Sequence, residues 1–364
     1  MKRHSKTTVF TALTLVLSVA LVELGGHTFY RLKHGSFLWQ DSPRRFNIRP
    51  FTEFTPDERG VTNRKNFIAQ TENGKWVALD ENRFRKGPNQ YFHDKDNIVF
   101  LGDSVPFGWN AGDADTVPAK FYRLMKAKTS WNYGVLNAAV PSYSLYQAIE
   151  RYHREIEGVY PVKYLVLQVY DPVSQFIIWG NRWDEKINWT WANTRAGHQR
   201  QLAHDFLFQY SSLYHVLSRR FWPLSAPPTV QLDLKDQAAF ARFKNQNTRA
   251  LQKFLSSLQR HNTRLILLPA NSAIHDPLHA VETLWPAEKV KRVAMETFND
   301  SLKEFAAQNP GAYYFDVASY FDGIAQAGNH GKKGLFLDSC CHLSPDGAEK
   351  QAQFILDNLR AIAD

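Results

Sequence analysis

Cysteine is almost missing from these 364 residues: there are two, Cys340 and Cys341, and they are adjacent. Such a pair excludes a disulfide framework and leaves no spacing for a structural zinc. Neighbouring Cα atoms lie about 3.8 Å apart across a trans peptide, below the usual disulfide range of roughly 4.4 to 6.8 Å. Two small buried thiols are therefore the plainer reading, and a vicinal disulfide that stiffens the local loop is the alternative. Also missing is a basic run interleaved with a nucleic-acid motif, because the Lys and Arg behind the net charge of +9 are spread along the chain. Nucleic acid is set aside on that ground, and a basic face toward anionic headgroups or an acidic polysaccharide is expected instead. No residue pattern asks for a metal or a cofactor.

Long uncharged apolar runs are scarce too, and the one that stands out is residues 7–22, behind Lys2, Arg3 and Lys6. Sixteen helical residues reach about 24 Å against a hydrocarbon core of roughly 30 Å, so residues 23–30 must carry the helix through the interface. Phe29, Tyr30 and Arg31 suit that depth. The small-residue pattern near Ser18 and Ala20 makes a poor cleavage site, which favours an uncleaved signal-anchor over a removed signal peptide. The basic end then stays cytoplasmic, and the rest of the chain is expected on the far, periplasmic side.

What is plentiful is core material, with 44% hydrophobic and 14% aromatic residues. Residues 31–96 show little periodicity and read as an irregular extension over the core surface. From residue 97 onward, apolar runs expected as buried strands (97–104, 135–140, 164–170, 264–270 and 313–318) alternate with helical patterns (117–128, 144–156, 236–260, 286–307 and 344–362). Phe240, Phe243, Ala250, Leu251, Phe254, Leu255 and Leu258 recur at spacings of three and four, a stripe that core packing requires. The alternation predicts an α/β fold, a three-layer α/β/α sandwich around a central parallel sheet, with an N-terminal transmembrane helix ahead of it. In such sheets ligands bind outside the carboxyl ends of the strands.

The first strand ends in Gly102-Asp103-Ser104-Val105-Pro106-Phe107-Gly108. A nucleophilic serine needs an exposed hydroxyl on a tight turn, and the flanking glycines permit one. Near the C-terminus Asp338 and His342 precede Ser344 and Pro345, which read as the N-cap and first residue of the last helix. A histidine there, with a carboxylate a few residues earlier, can act as an oriented general base.

Together these two segments resemble the SGNH, or GDSL-type, hydrolases over roughly residues 97–364. The resemblance implies that Ser104 attacks an ester carbonyl and that His342 is its base. It also implies an oxyanion held by the serine N–H, a second-segment N–H and a third-segment side chain. Residues 63–65 and 80–85 resemble, more loosely, stretches ahead of the nucleophile in membrane-anchored bacterial members. Three positions depart from the pattern. Ser142 stands where the family has glycine, and keeps a backbone N–H if its conformation is open to a non-glycine residue. Tyr170 stands in the asparagine position: its phenol replaces the lost donor, or its ring packs in the core, which is the simpler reading. Asp338 lies one residue too far from His342, so it either completes a triad through a bulged loop or only forms a turn. Asp103 is expected to stabilise the nucleophile turn, and Asp171 to cap a connection.

An aromatic-rich insertion spans about 172–230, with Trp179, Trp183, Trp189 and Trp191 as the lip of a substrate lid or as part of a satellite core. The expected organisation is thus an anchor (1–30), an extension (31–96) and a catalytic domain (97–364). The function expected is a serine ester hydrolase working through an acyl-Ser104 intermediate. Its expected substrate is an O-acyl, mainly O-acetyl, group on an envelope or secreted carbohydrate. An O-acyltransferase, or a weakened binding or assembly protein on the same fold, are the alternatives.

Overall fold

No proline interrupts the first 34 residues, and they form one continuous helix, α1 (Lys2–His34). The structure is a computed structural model that describes residues 2–34, 52–54, 61–70, 74–170, 173, 211–214, 233–272, 286–328, 332–338 and 340–363. Over Phe10–Phe29, α1 is long and apolar enough to cross a membrane, and little of it is buried in the protein. Near the end of that span the Glu23 carboxylate accepts hydrogen bonds from the hydroxyls of Ser211 and Ser212 and from the Ser212 N–H, the latter at 2.6 Å. Gly26 allows this approach: a Cβ there would stand 2.2 Å from Ser212 Oγ.

The stretch read as an irregular extension is more built than its composition suggests. It contains two antiparallel ribbons, β1 (Thr52–Phe54) with β2 (Val61–Asn63), and β3 (Ile68–Gln70) with β4 (Trp76–Ala78). It also sends a fully buried Arg85 into the domain, 2% exposed.

The central sheet follows, with helices between its strands: β5 (Asn97–Gly102), α2 (Ser104–Phe107), α3 (Val117–Lys128), β6 (Gly134–Asn137), α4 (Leu145–Arg151) and β7 (Val162–Gln168). Then come α5 (Gln237–Arg260), β8 (Arg264–Leu268), α6 (Pro286–Gln308), β9 (Ala312–Tyr314), α7 (Val317–Gly328) and α8 (Pro345–Ala361). The strand order is β6-β5-β7-β8-β9 and every pairing is parallel. Because side chains alternate along a strand, Val99, Leu101, Leu165, Leu167, Leu265 and Leu267 face one layer. That layer is α4, α5 and α6. Ile98, Phe100, Val135, Val166, Ile266 and Leu268 face the other, made by α3, α7 and α8. The three-layer α/β/α architecture is as expected, and all seven residues of the α5 stripe are buried in the first layer.

Two local expectations are corrected. The run at 313–318 is strand only to Tyr314, because Asp316 accepts the Ser319 N–H at 3.1 Å and starts α7, an N-cap signal that outweighs the apolar pattern. The run at 97–104 is strand only to Gly102, and Ser104 opens α2. The 172–230 insertion, with Trp179, Trp183, Trp189 and Trp191, and Asp171 lie outside the described residues, apart from Val173 and 211–214.

This topology decides where chemistry can occur. Chain order reverses direction across the sheet at β5, which lies between β6 and β7, so the topological switch point falls at the carboxyl end of β5. Ser104 follows β5, Ser142 follows β6 and Tyr170 follows β7.

Candidate active site

Gly102 makes the turn possible. Its φ is +147°, and a Cβ there would sit 1.8 Å from the Gln168 carbonyl of β7, so no other residue fits beside that strand. Asp103, fully buried, then caps α2: Oδ1 accepts the Val105 N–H at 2.9 Å and Oδ2 accepts the Tyr170 N–H. One carboxylate thus fixes the Ser104 turn and ties it to the loop after β7. Gly108, in the left-handed region at φ 79°, closes α2.

Beneath this turn lies a polar brace. Arg85 Nη1 donates to the Phe107 and Gly108 carbonyls at 2.5 Å each, Nη2 to Ala111 O at 2.6 Å, and Nε to Asp113 Oδ1 at 3.2 Å. Its guanidinium also lies 4.8 Å from the centre of the Phe107 ring. Asn137, at the end of β6, donates to Pro106 O at 3.1 Å. Asn63 donates to Ala139 O at 3.0 Å, and Asn63 and the buried Arg151 both donate to Arg83 O. The carbonyls behind Ser104 and ahead of Ser142 are therefore satisfied largely from the 61–113 stretch. Sequence reasoning passed over these residues; the one available signal was the looser resemblance at 63–65 and 80–85.

From the other side, the loop before α8 brings in His342. Its Nε2 stands 3.0 Å from Ser104 Oγ, within hydrogen-bond reach, and its Nδ1 is bonded to Asp338 Oδ2. The extra residue between Asp338 and His342 is absorbed by a turn folded around Asp338 Oδ1. That oxygen accepts the N–H groups of Cys340 (2.9 Å), Cys341 (3.1 Å) and His342 (3.3 Å). Ser344 then caps α8 by accepting the Gly347 N–H at 3.1 Å, with Pro345 at its first position.

Burial is the largest influence on the His342 imidazole and disfavours its charge, but the Asp338 hydrogen bond and charge outweigh it and raise the pKa above the ordinary histidine value. Burial likewise opposes ionisation of Asp338, yet the bonds from His342 and from the backbone N–H groups hold its carboxyl below the usual range.

Ser142 has φ 65°, the left-handed conformation that glycine adopts freely and serine adopts at a cost of about 1–2 kcal/mol. Tyr170 is 2% exposed in the core layer formed with α5 and α6, with Lys291 Nζ 5.2 Å from its ring centre. Ser104, His342 and Asp338 thus form one hydrogen-bonded chain, with Ser142 and Tyr170 on the adjoining loops. Among the described residues no cluster of metal-ligating side chains occurs.

No family model matches the sequence, and no curated protein matches it. Solved structures do match. A protein of Parabacteroides merdae described as a GDSL-like lipase is 12% identical with a TM-score of 0.40, over 75% of this chain and 98% of its own. The acetyl xylan esterase AlAXEase is 12% identical with a TM-score of 0.42, over 72% and 99%. Axe2, an acetylxylan esterase of Geobacillus stearothermophilus, is 10% identical with a TM-score of 0.43, over 72% and 94%.

Proposed function

We propose that this chain is a serine ester hydrolase. The observation that carries the reading is the chain of bonds from Asp338 Oδ2 through His342 to Ser104 Oγ, the last at 3.0 Å. In this reading His342 takes the Ser104 proton as the hydroxyl oxygen attacks an ester carbonyl, and Asp338 stabilises the imidazolium that forms. The oxyanion is received by the backbone N–H groups of Ser104 and Ser142. His342 returns its proton to the leaving alcohol, and the acyl group stays on Ser104 until water, activated by the same imidazole, removes it. The substrate class that fits is an O-acetylated envelope or secreted carbohydrate, which also suits the basic net charge if that polymer is acidic.

The α1 span reads as the anchor, with Lys2, Arg3 and Lys6 on the cytoplasmic side and residues 31–364 outside. An acyltransferase would share every step up to the acyl-enzyme and differ only in what resolves it. The departures at Tyr170 and Asp338 favour a binding protein on the same fold, and the bond from Asp338 Oδ2 to His342 supports the hydrolase instead.

The test is labelling of the full chain in detergent with a fluorophosphonate probe. Wild type labels, Ser104→Ala does not, and His342→Ala slows by roughly 100- to 10,000-fold, the contribution of a positioned base. A folded wild type that never labels sinks the proposal. Acetate release from O-acetylated polysaccharide, with and without an unacetylated acceptor, then separates hydrolysis from transfer.

A further inference from the structure

Two thiols share the turn that presents the base, and the chemistry proposed for Ser104 uses neither. Cys340 and Cys341 are both reduced, with their sulfurs 2.7 Å apart. Cys341 is buried and Cys340 half-buried, so a reagent reaches the pair from the Cys340 side. Asp338 Oδ1 gathers the N–H groups of both cysteines and of His342, while Oδ2 of the same carboxylate orients the imidazole. The peptide linking the two cysteines is therefore part of the support of the base. The Cys340 thiol is held below its usual range, first by its hydrogen bond with Cys341 and then, against burial, by the positive charges of Lys291 and His342.

We propose that Cys340–Cys341 is a thiol-oxidation site that accepts the disulfide of a thiol-exchange oxidant, and that its closure withdraws Asp338 from His342. The thiolate of Cys340 attacks one sulfur of the oxidant's disulfide, forming a mixed disulfide and releasing one thiolate. Cys341, giving up its proton, then attacks Cys340 Sγ, which forms the Cys340–Cys341 bond and expels the second sulfur of the oxidant. Two thiols lose two electrons and two protons, and the oxidant's disulfide becomes two thiols.

Adjacent Cα atoms are closer than an ordinary disulfide spans, so closure turns the intervening peptide and pulls its one N–H, that of Cys341, off Asp338 Oδ1. Strained or accessible disulfides are the reducible kind, which makes the change reversible. The oxidation site stands on the geometry of the turn, and only its effect on labelling rests on the reading of Ser104 as nucleophile.

The experiment treats the full chain in detergent with oxidised glutathione, then reads intact mass and the rate of fluorophosphonate labelling. Expected are loss of two hydrogens without a retained glutathione adduct and a labelling rate lower by about tenfold or more, part of what a positioned base supplies. A dithiol reductant restores the rate; Cys340→Ser takes up no oxidant, and Cys341→Ser stops at the glutathione adduct on Cys340 without losing two hydrogens. A pair that does not close, stops at the glutathione adduct, or closes without slowing the label overturns the proposal. If reduced wild type does not label at all, the ester-hydrolase reading fails. The inference is then decided by the ¹⁵N imidazole resonances of His342, which must shift when the two hydrogens are lost.

Discussion

The turn that carries Ser104 and the loop that carries His342 meet across 3.0 Å, yet they are held by different means. Behind Ser104, support comes from far along the chain and from the interior: Asp103 reaches the loop after β7, Arg85 gathers three carbonyls, and Asn137 adds a fourth. Behind His342, support is local and close to solvent, one carboxylate collecting its own following residues. Ser104 is thus placed by the fold, and His342 by the turn that follows Asp338. On the proposed reading such a site keeps its attacking atom fixed whatever happens to the base, and its adjustability sits on one side.

Asp338→Asn tests that division most severely. The turn can still accept N–H bonds through the amide oxygen, so it should keep its shape, and stability should fall by no more than the lost Asp338–His342 charge interaction. Labelling should fall by up to about 10,000-fold, as expected when the carboxylate that sets the histidine tautomer is lost. A change of less than about threefold would mean that the turn, and not the charge, orients His342.

Arg85→Met attacks the other arm and should read out as stability. It leaves Asp113 to the Ala78 N–H and takes one donor each from the Phe107, Gly108 and Ala111 carbonyls, an expected loss of about 3–5 kcal/mol by chemical denaturation. Arg85→Lys should recover only part of this, since one ammonium cannot reach all four acceptors. Full recovery would show that charge alone matters there.

The pH profile sharpens the comparison because the base arm carries the imidazole. His342 must be neutral to accept a proton, so labelling should rise with pH through a midpoint above the ordinary histidine value of about 6.5. Asp338→Asn should bring that midpoint down. Stability runs the other way. The raised His342 pKa contributes fully below about pH 6.5 and is lost as pH climbs through its folded value, while the depressed Asp338 pKa contributes above about pH 3.9 and is lost as pH falls through its folded value. The base loop is therefore held most firmly between those limits, where the base is protonated and idle. A midpoint at or below that of free histidine would contradict the coupling.

Ser142→Gly should have the smallest effect, a gain of less than about 1 kcal/mol in thermal denaturation, because relief of the left-handed serine is partly offset by the greater freedom of glycine in the unfolded chain. Labelling should stay at or above the wild-type rate, since the N–H is kept.

Much of this was readable before any coordinates. Continuous apolar runs gave the parallel strands, the stripe on α5 gave its buried face, and Ser104 and His342 could be placed because a strand end and an N-cap stood beside them. Asp338 was ambiguous because spacing in sequence does not reveal a turn that folds three N–H groups onto one oxygen. Arg85 and Asn63 were missed for a related reason: their partners include backbone carbonyls 20 to 76 residues away, and carbonyls carry no sequence signature. The run at 313–318 misled because tyrosine, phenylalanine and valine suit a strand, and a single aspartate decided otherwise.

The bond between Glu23 and Ser211 closes a circuit of 188 residues onto α1. A catalytic body joined to its anchor by a linker alone would sweep a volume set by the linker's length. Pinned a second time, at a carboxylate near the end of the apolar span, it works at a short and constant reach. On the proposed reading, with α1 in a bilayer, the esters within its reach would be those on polymer lying close against the headgroups, and material beyond that radius would pass untouched.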